Sequence, residues 1–396
     1  MLTSSLRWVI VIGGVCLLVG GIVLFMVGDP SPAEKDLESA TSPPDTKATS
    51  PVQSVPTPAA PTQREEPVEQ LYRAIQEAAK GQTVTEDVLR RIEGLREAGR
   101  PDSGTDLREL YGRDGSVQER TIILLALQKV GTPQALAALK EIALKPGSGA
   151  RTLGPRAVQA MAALTKDSNQ ISELLLSESP EARDAAATAL SGKELTDVSV
   201  RRLGELLRSD SWVTHNLVAA AFATDRSEAT ADGKAALLFA SLPQLERLKD
   251  PEKIVPSTGV TARQSALVSY VRALAGMPAA DKSLRERLVA APAGSLEHKV
   301  SALALALRKD KTVYPSIVPL AREEQDGLLR LLAVEGLGLV GSAQDLGLLE
   351  NIANTDPYTR PSMGDRMGQS DRMVYPVRVA AKRAMVTLGK RGSDKP

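Results

Sequence analysis

Residues 120–143 and 330–353 can be laid over one another without a gap. RTIILLALQKVGTPQALAALKEIA and RLLAVEGLGLVGSAQDLGLLENIA agree at nine of 24 positions. In each, an arginine (Arg120 or Arg330) precedes a glycine (Gly131 or Gly341) by eleven residues. Near the C-terminus, VYPVRVAAKRAMVTLGK keeps the same spacing from Arg378 to Gly389. Weaker copies start near Arg156, Arg183, Arg263 and Lys299, at irregular intervals that imply inserted loops. Self-similarity on this scale marks supersecondary units that cannot bury their apolar faces alone and must stack on their neighbours.

The units read as helices. From about Val68 onward, VEQLYRAIQEAAK, TEDVLRRIEGL, ERTIILLALQKVG, PQALAALKEIALK and LTDVSVRRLGELLR carry apolar residues at i, i+3, i+4 and i+7. Breaks rich in Gly, Pro, Asp and Ser separate them, as helix-capping chemistry requires. Aromatic residues make up only 3% of the chain, Ala and Leu dominate, and no run alternates with the period of a strand. The expected fold class is all-α. In VYPVRVAAKRAMVTLGK, Ala, Val and Gly stand where a lone amphipathic helix would carry Leu or Phe. Small residues let helix axes approach closely, so this helix is built to lie against another unit.

The pattern resembles HEAT repeats, in particular the short HEAT-like repeats of phycobilisome lyases. The resemblance rests on Val377, Arg378, Ala380, Ala381, Ala384, Leu388 and Gly389, and on Leu329, Arg330, Ala333, Gly336, Leu337 and Gly341. A second helix with Leu-x-x-Leu-x-x-Ile-Ala follows twice, as Leu136, Leu139, Ile142, Ala143 and as Leu346, Leu349, Ile352, Ala353. The resemblance spans roughly residues 115–392, firm at both ends and diffuse around 192–260. It implies an α-solenoid of HEAT-like helical hairpins over 67–392. Arg120, Gly131, Arg330, Gly341, Arg378 and Gly389 would be its repeat-defining residues, and the arginines would hydrogen-bond neighbouring turns. Asp326, four residues before Arg330, is placed for a helical i,i+4 pair. Such repeats specify a fold and not an activity.

The N-terminus carries a different signal. WVIVIGGVCLLVGGIVLFMV, residues 8–27, holds no charge. As a helix it would cover roughly 30 Å, the thickness of a hydrocarbon core. Trp8 and Phe25 flank it where aromatic rings suit the interface. A cleaved signal peptide is the competing reading. Its apolar region would normally be about 7–15 residues, and GDPSPAEK offers no convincing small-x-small cleavage site. Val15 before Cys16 argues against a lipoprotein. The expectation is one uncleaved transmembrane helix. Arg7 and the amino terminus lie on one side, and Asp29, Glu34 and Asp36 on the other. The positive-inside rule then keeps residues 1–7 in the cytoplasm and places the solenoid on the extracytoplasmic side of the cell membrane. Residues 28–66, crowded with Pro, Ser and Thr, read as a disordered linker with a reach of some 35 Å. Residues 393–396 read as a disordered tail.

Chemistry is sparse. A formal net charge of +1 gives no global basic excess for nucleic-acid binding. The one cysteine, Cys16, permits neither an intrachain disulfide nor a thiolate metal site. His215 and His298 have no partner at metal-ligand spacing. No GxSxG, GxxxxGK[ST] or HExxH occurs. Bilin lyases and some DNA-repair glycosylases use similar repeats. A glycosylase would want aromatic residues over a basic face, and this chain offers few. Catalytic, cofactor-binding and metal-binding residues are therefore expected to be none, with no cofactor and no small-molecule substrate.

The segment NTDPYTRPSMGDRMGQSDRMVYP, 354–376, is the most distinctive insertion. Arg360, Arg366 and Arg372 recur every six residues, interleaved with Met363, Met367 and Met373. Adaptable methionines beside arginines suit a partner-binding surface, although a plain surface loop fits the same composition. From Asp356 to the end there are nine Lys/Arg against four Asp. A second insertion, KDPEKIVPSTGVTA (249–262), reads as a connector. The expected role is a membrane-anchored protein-binding scaffold using the solenoid surface. Alternatives are binding of envelope polymer or anionic lipid through 356–396, or a lyase-like enzyme-associated module.

Overall fold

Local capping chemistry sets the helix boundaries. The computed structural model describes residues 66–81, 83–100, 102–255, 259–361 and 373–393. The expected transmembrane segment 8–27, the tip before it, the linker up to residue 65 and residues 394–396 lie outside the described residues. Among the described residues no helix is long and apolar enough to cross a membrane. They form an all-α fold of eighteen α-helices with two short antiparallel strand pairs.

The chain opens with α1 (Glu66–Lys80), α2 (Glu86–Glu97), α3 (Ser103–Gly112) and α4 (Val117–Val130). Ser116 and Glu119 form a capping box ahead of α4, and Gly131 ends it at φ 62°, a left-handed conformation that costs glycine little. Thr132 caps α5 (Pro133–Leu144), whose first residue is a proline that needs no N–H partner there. Next come α6 (Ala150–Leu164), α7 (Ser168–Glu173) with a 3₁₀ turn over Leu174–Leu176, α8 (Pro180–Leu190) and α9 (Asp197–Leu206). The stretch around 192–260, where the repeat signal is diffuse, continues as α10 (Trp212–Thr224), α11 (Ala231–Ala240) and a 3₁₀ turn over Leu242–Arg247.

The 249–262 segment is more than a connector. It pairs β1 (Ile254–Val255) with β2 (Val260–Thr261), matching Ile254 to Thr261 and Val255 to Val260. Val255 and Val260 are both buried, so the hairpin pins this insertion to the helices beneath it. Thr261 then caps α12 (Ala262–Ala275), followed by α13 (Asp281–Ala290), α14 (Leu296–Leu307), α15 (Tyr314–Glu323), α16 (Gly327–Val340) and α17 (Leu346–Thr355). Strands β3 (Arg360–Pro361) and β4 (Met373–Val374) precede the last helix, α18 (Pro376–Ser393).

Contacts sort these helices into two rows. The first runs α4, α6, α8, α10, α12, α14, α16, α18, each touching the next member in that order. The second runs α3, α5, the 174–176 turn with α7, then α9, α11 and α13, likewise in sequence. Hairpin partners tie the rows together, as in α5 with α6 and α15 with α16. Helix α14 is crowded further because α12 and α16 also touch, and Val300 through Ala306 are all buried.

Small residues set the spacing at the C-terminal end. A Cβ on Gly336 would lie 2.9 Å from the Ala306 Cβ of α14, and one on Gly338 2.8 Å from the Ala384 Cβ of α18. Helix α16 is therefore pressed between two neighbours at backbone distance. The repeated glycines do not share one role. Gly341 follows α16 in an extended conformation (φ −74°, ψ −178°), and Gly389 stays inside α18 with nothing within 4 Å of a would-be Cβ. Only Gly131 closes its helix in the left-handed region. Gly338→Val should lower stability by about 1–3 kcal/mol through overpacking. Ala384→Gly in the same chain should restore part of it in a urea-denaturation double-mutant cycle, and strict additivity would place the clash elsewhere.

Candidate interaction surface

Five first-row helices begin alike. Ser116, Ser179, Ser211, Ser295 and Asp326 each accept a backbone N–H at the helix start. Four residues later stands a basic side chain: Arg120, Arg183, His215, Lys299 and Arg330. One helical turn aims that side chain back at the preceding loop, whose carbonyls lack helical partners. The Arg183 guanidinium donates to the Ser177 carbonyl at 2.8 Å, and His215 Nε2 to the Ser209 carbonyl at 2.9 Å, both six residues back. Arg330 donates to the Glu324 carbonyl, again six residues back. Arg120 reaches the Arg113 carbonyl at 3.3 Å.

The same side chains also tie loops forward. Arg120 donates to Ser148 ahead of α6, and Lys299 pairs with the Glu324 carboxylate at 2.6 Å ahead of α16. Arg330 forks onto Asp356, Nε to Oδ2 at 2.5 Å and the terminal nitrogen to Oδ1 at 3.3 Å. The backbone carbonyl of Asp356 accepts from Arg378 at 2.6 Å. The expected Asp326–Arg330 helical pair is not made. Asp326 is instead consumed as the α16 cap and by Gln264 at 3.0 Å, leaving Arg330 to turn toward Asp356.

His215 belongs to this series and is missed by a search for arginine or lysine, which leaves the interval from Arg183 to Arg263 empty. The signal lies in SWVTH, which matches SPEAR and SVQER at the cap and the fifth position. The fully buried ring takes the Tyr270 hydroxyl at Nδ1, 2.5 Å away. The Ser209 carbonyl can only accept, so Nε2 carries the proton and Nδ1 accepts from Tyr270. Burial holds the imidazole below its ordinary value of 6.5.

Of the candidate partner-binding residues, the structure places two. Arg360 and Met373 sit at the base of the insertion on facing strands, in the register Arg360 to Val374 and Pro361 to Met373. Met363, Arg366, Met367 and Arg372 lie outside the described residues. Tyr358 seats this base by packing over Gly327, and burial pushes its phenol up. Beyond β4, the Arg378 guanidinium stacks 4.1 Å above the Tyr375 ring. Helix α18 buries Val377, Ala380, Ala381, Ala384 and Leu388, while Val379 and Val386 remain 45% and 58% exposed.

A groove of about 400 Å³ lies between the N-terminal ends of α12, α14 and α16, lined among others by Leu267, Leu296 and Leu329. Its charges are committed, Arg263 to Glu246 at 2.9 Å and Lys299 to Glu324 at 2.6 Å. The fully buried Lys234 is likewise committed to Asp225 at 2.8 Å. Glu335, on α16, has its carboxyl pushed up by burial, with Arg272 and Arg383 opposing the shift. Among the described residues no group of three His, Cys, Asp or Glu is placed to hold a metal ion. Comparison with protein-family models and with curated proteins finds no match to this chain.

Two measurements probe these ties. Arg330→Ala strands the nearly buried Asp356 and should cost about 3–5 kcal/mol in denaturant unfolding; an effect of a few tenths would demote the pair to decoration. Because the His215 ring is held below 6.5, its stabilising contribution is complete above that pH and is lost on acidification toward the lowered folded value. The natural protein should therefore lose stability between pH 7.5 and 5.5 more steeply than His215→Gln, by at most about 1.4 kcal/mol per pH unit. Parallel pH profiles would refute the assignment.

Proposed function

We propose that the protein is a membrane-anchored scaffold whose helices form an α-solenoid of HEAT-like repeats and bind a protein partner on their surface. The observation that carries this reading is the unit recurring in five helices of the first row: a capped helix start, a basic side chain four residues in, and a loop tied by it. Units tied in this way stack one on the next and present an extended surface that needs no catalytic group to bind. The groove between α12, α14 and α16 fits the same view, because its charges hold the scaffold instead of facing a substrate. The anchor rests on the uncharged run 8–27, and the charge flanking it puts the scaffold on the extracytoplasmic side. The insertion carrying Arg360, Met363, Arg366, Met367, Arg372 and Met373 is the first candidate contact.

A second reading, retention on anionic lipid or envelope polymer, draws on the basic excess of 356–396. In-cell crosslinking of the intact tagged protein, followed by mass spectrometry, separates the two. One dominant protein partner, lost when residues 362–372 are deleted so that Asp356 and Tyr358 stay in place, is the expected result. A partner that survives the deletion moves the contact to the helical surface. Recovery of polymer or lipid alone overturns the scaffold.

A further inference from the structure

We propose that the outer face of α18 is a docking surface for an acidic amphipathic helix of a partner protein, an inference that rests on the scaffold reading. At about 100° per residue, the buried positions Val377, Ala380, Ala381, Ala384 and Leu388 fall on one side of α18, against α16 and α17. Val379, Lys382, Arg383, Val386 and Lys390 fall on the other. The first-row members α6 to α16 each have a row neighbour on two sides. Among the described residues, α18 has one on a single side only. Among the described residues, four of the twelve exposed large apolar side chains, Met373, Tyr375, Val379 and Val386, fall within this short stretch.

The chemistry of the face selects its occupant. From Met373 to Ser393 the sequence holds Arg378, Lys382, Arg383, Lys390 and Arg391 and no Asp or Glu. Val379 and Val386 are seven residues apart, two helical turns, which matches a helix presenting apolar side chains at i, i+3 or i+4, and i+7. Acidic residues flanking that stripe would meet Lys382, Arg383 and Lys390, giving orientation and selectivity. A second copy docking through the same face would set like charges against each other. A bilayer would reward larger apolar groups than two valines, and Tyr375 is already engaged beneath Arg378. A helix therefore fits better than a membrane surface.

The test places a benzoylphenylalanine side chain at position 386 of the full-length protein in cells, with a control at the 87% exposed Val289. Ultraviolet crosslinking and mass spectrometry should identify at position 386 a partner segment with more Asp and Glu than Lys and Arg, absent from the control. Its yield should fall at least tenfold with Lys382→Glu plus Arg383→Glu. The neutral pair Lys382→Gln plus Arg383→Gln should give an intermediate loss, and thermal melts establish that each variant is folded. Adducts only to lipid, only to the chain itself, to a segment without acidic excess, or insensitive to both charge variants overturn the inference. If the intact protein still captures a partner elsewhere, the scaffold reading survives that failure. If neither position nor the intact protein captures any partner, both fall.

Discussion

A helical hairpin ends in a loop whose carbonyls have no donor of their own, and a stack of hairpins multiplies that deficit at every junction. Here four first-row helices, α4, α8, α10 and α16, meet part of it with one side chain set a single turn into the following helix. Arg183, His215 and Arg330 each take a carbonyl six residues back. A hydrogen bond from a charged guanidinium, as at Arg183 and Arg330, contributes about 1.5–3 kcal/mol, more than the neutral His215 ring supplies. The residues differ in what else they hold. A guanidinium has donors enough for two loops, so Arg120 and Arg330 grip the loop behind and the loop ahead together. His215 donates to the loop behind through Nε2 and accepts from Tyr270, within α12, at Nδ1. Lys299 has one compact charge and spends it forward, on Glu324.

Once loops are fixed, spacing along the row follows from side-chain size. Ala182, Ala186 and Ala187 of α8 are fully buried, so that helix meets its neighbours almost backbone to backbone. Gly336 and Gly338 do the same for α16. Close packing of this kind has little slack, because a single added methyl group cannot relax into a void that is absent. The three first-row helices α14, α16 and α18 therefore act as one wedge, and the base of the 354–376 insertion is seated on it through Tyr358 over Gly327 and Asp356 against Arg330.

The ties also redistribute charge. Glu324, Asp326 and Asp356 are taken up by Lys299, Gln264 and Arg330 inside the scaffold. These three acidic side chains are thus turned inward, while the last helix carries cations alone. An almost neutral chain acquires a local field in this way. Net charge, which argues against non-specific nucleic-acid binding for the chain as a whole, says nothing about such a patch.

Periodicity, capping residues and the repeated Arg-to-Gly spacing were enough to specify an all-α chain of short helices, because these depend on local geometry and on apolar stripes read along one element. Legible too was that α18 must lie against something, since Ala and Val replace larger residues on its packed face. Which residues share a role was decided only by tertiary structure. The glycines at 131, 341 and 389 share a spacing yet adopt three local settings, because helix ends are fixed by what packs beyond them. Asp326 stands one turn before Arg330, but capping and Gln264 compete for its carboxylate, and Asp356, 26 residues later in sequence, wins the arginine. His215 fills an arginine's place because the junction requires a donor at that point in space and not a particular side chain. Sequence records local preference; competition among distant partners for the same donor or acceptor is settled only when the rows assemble.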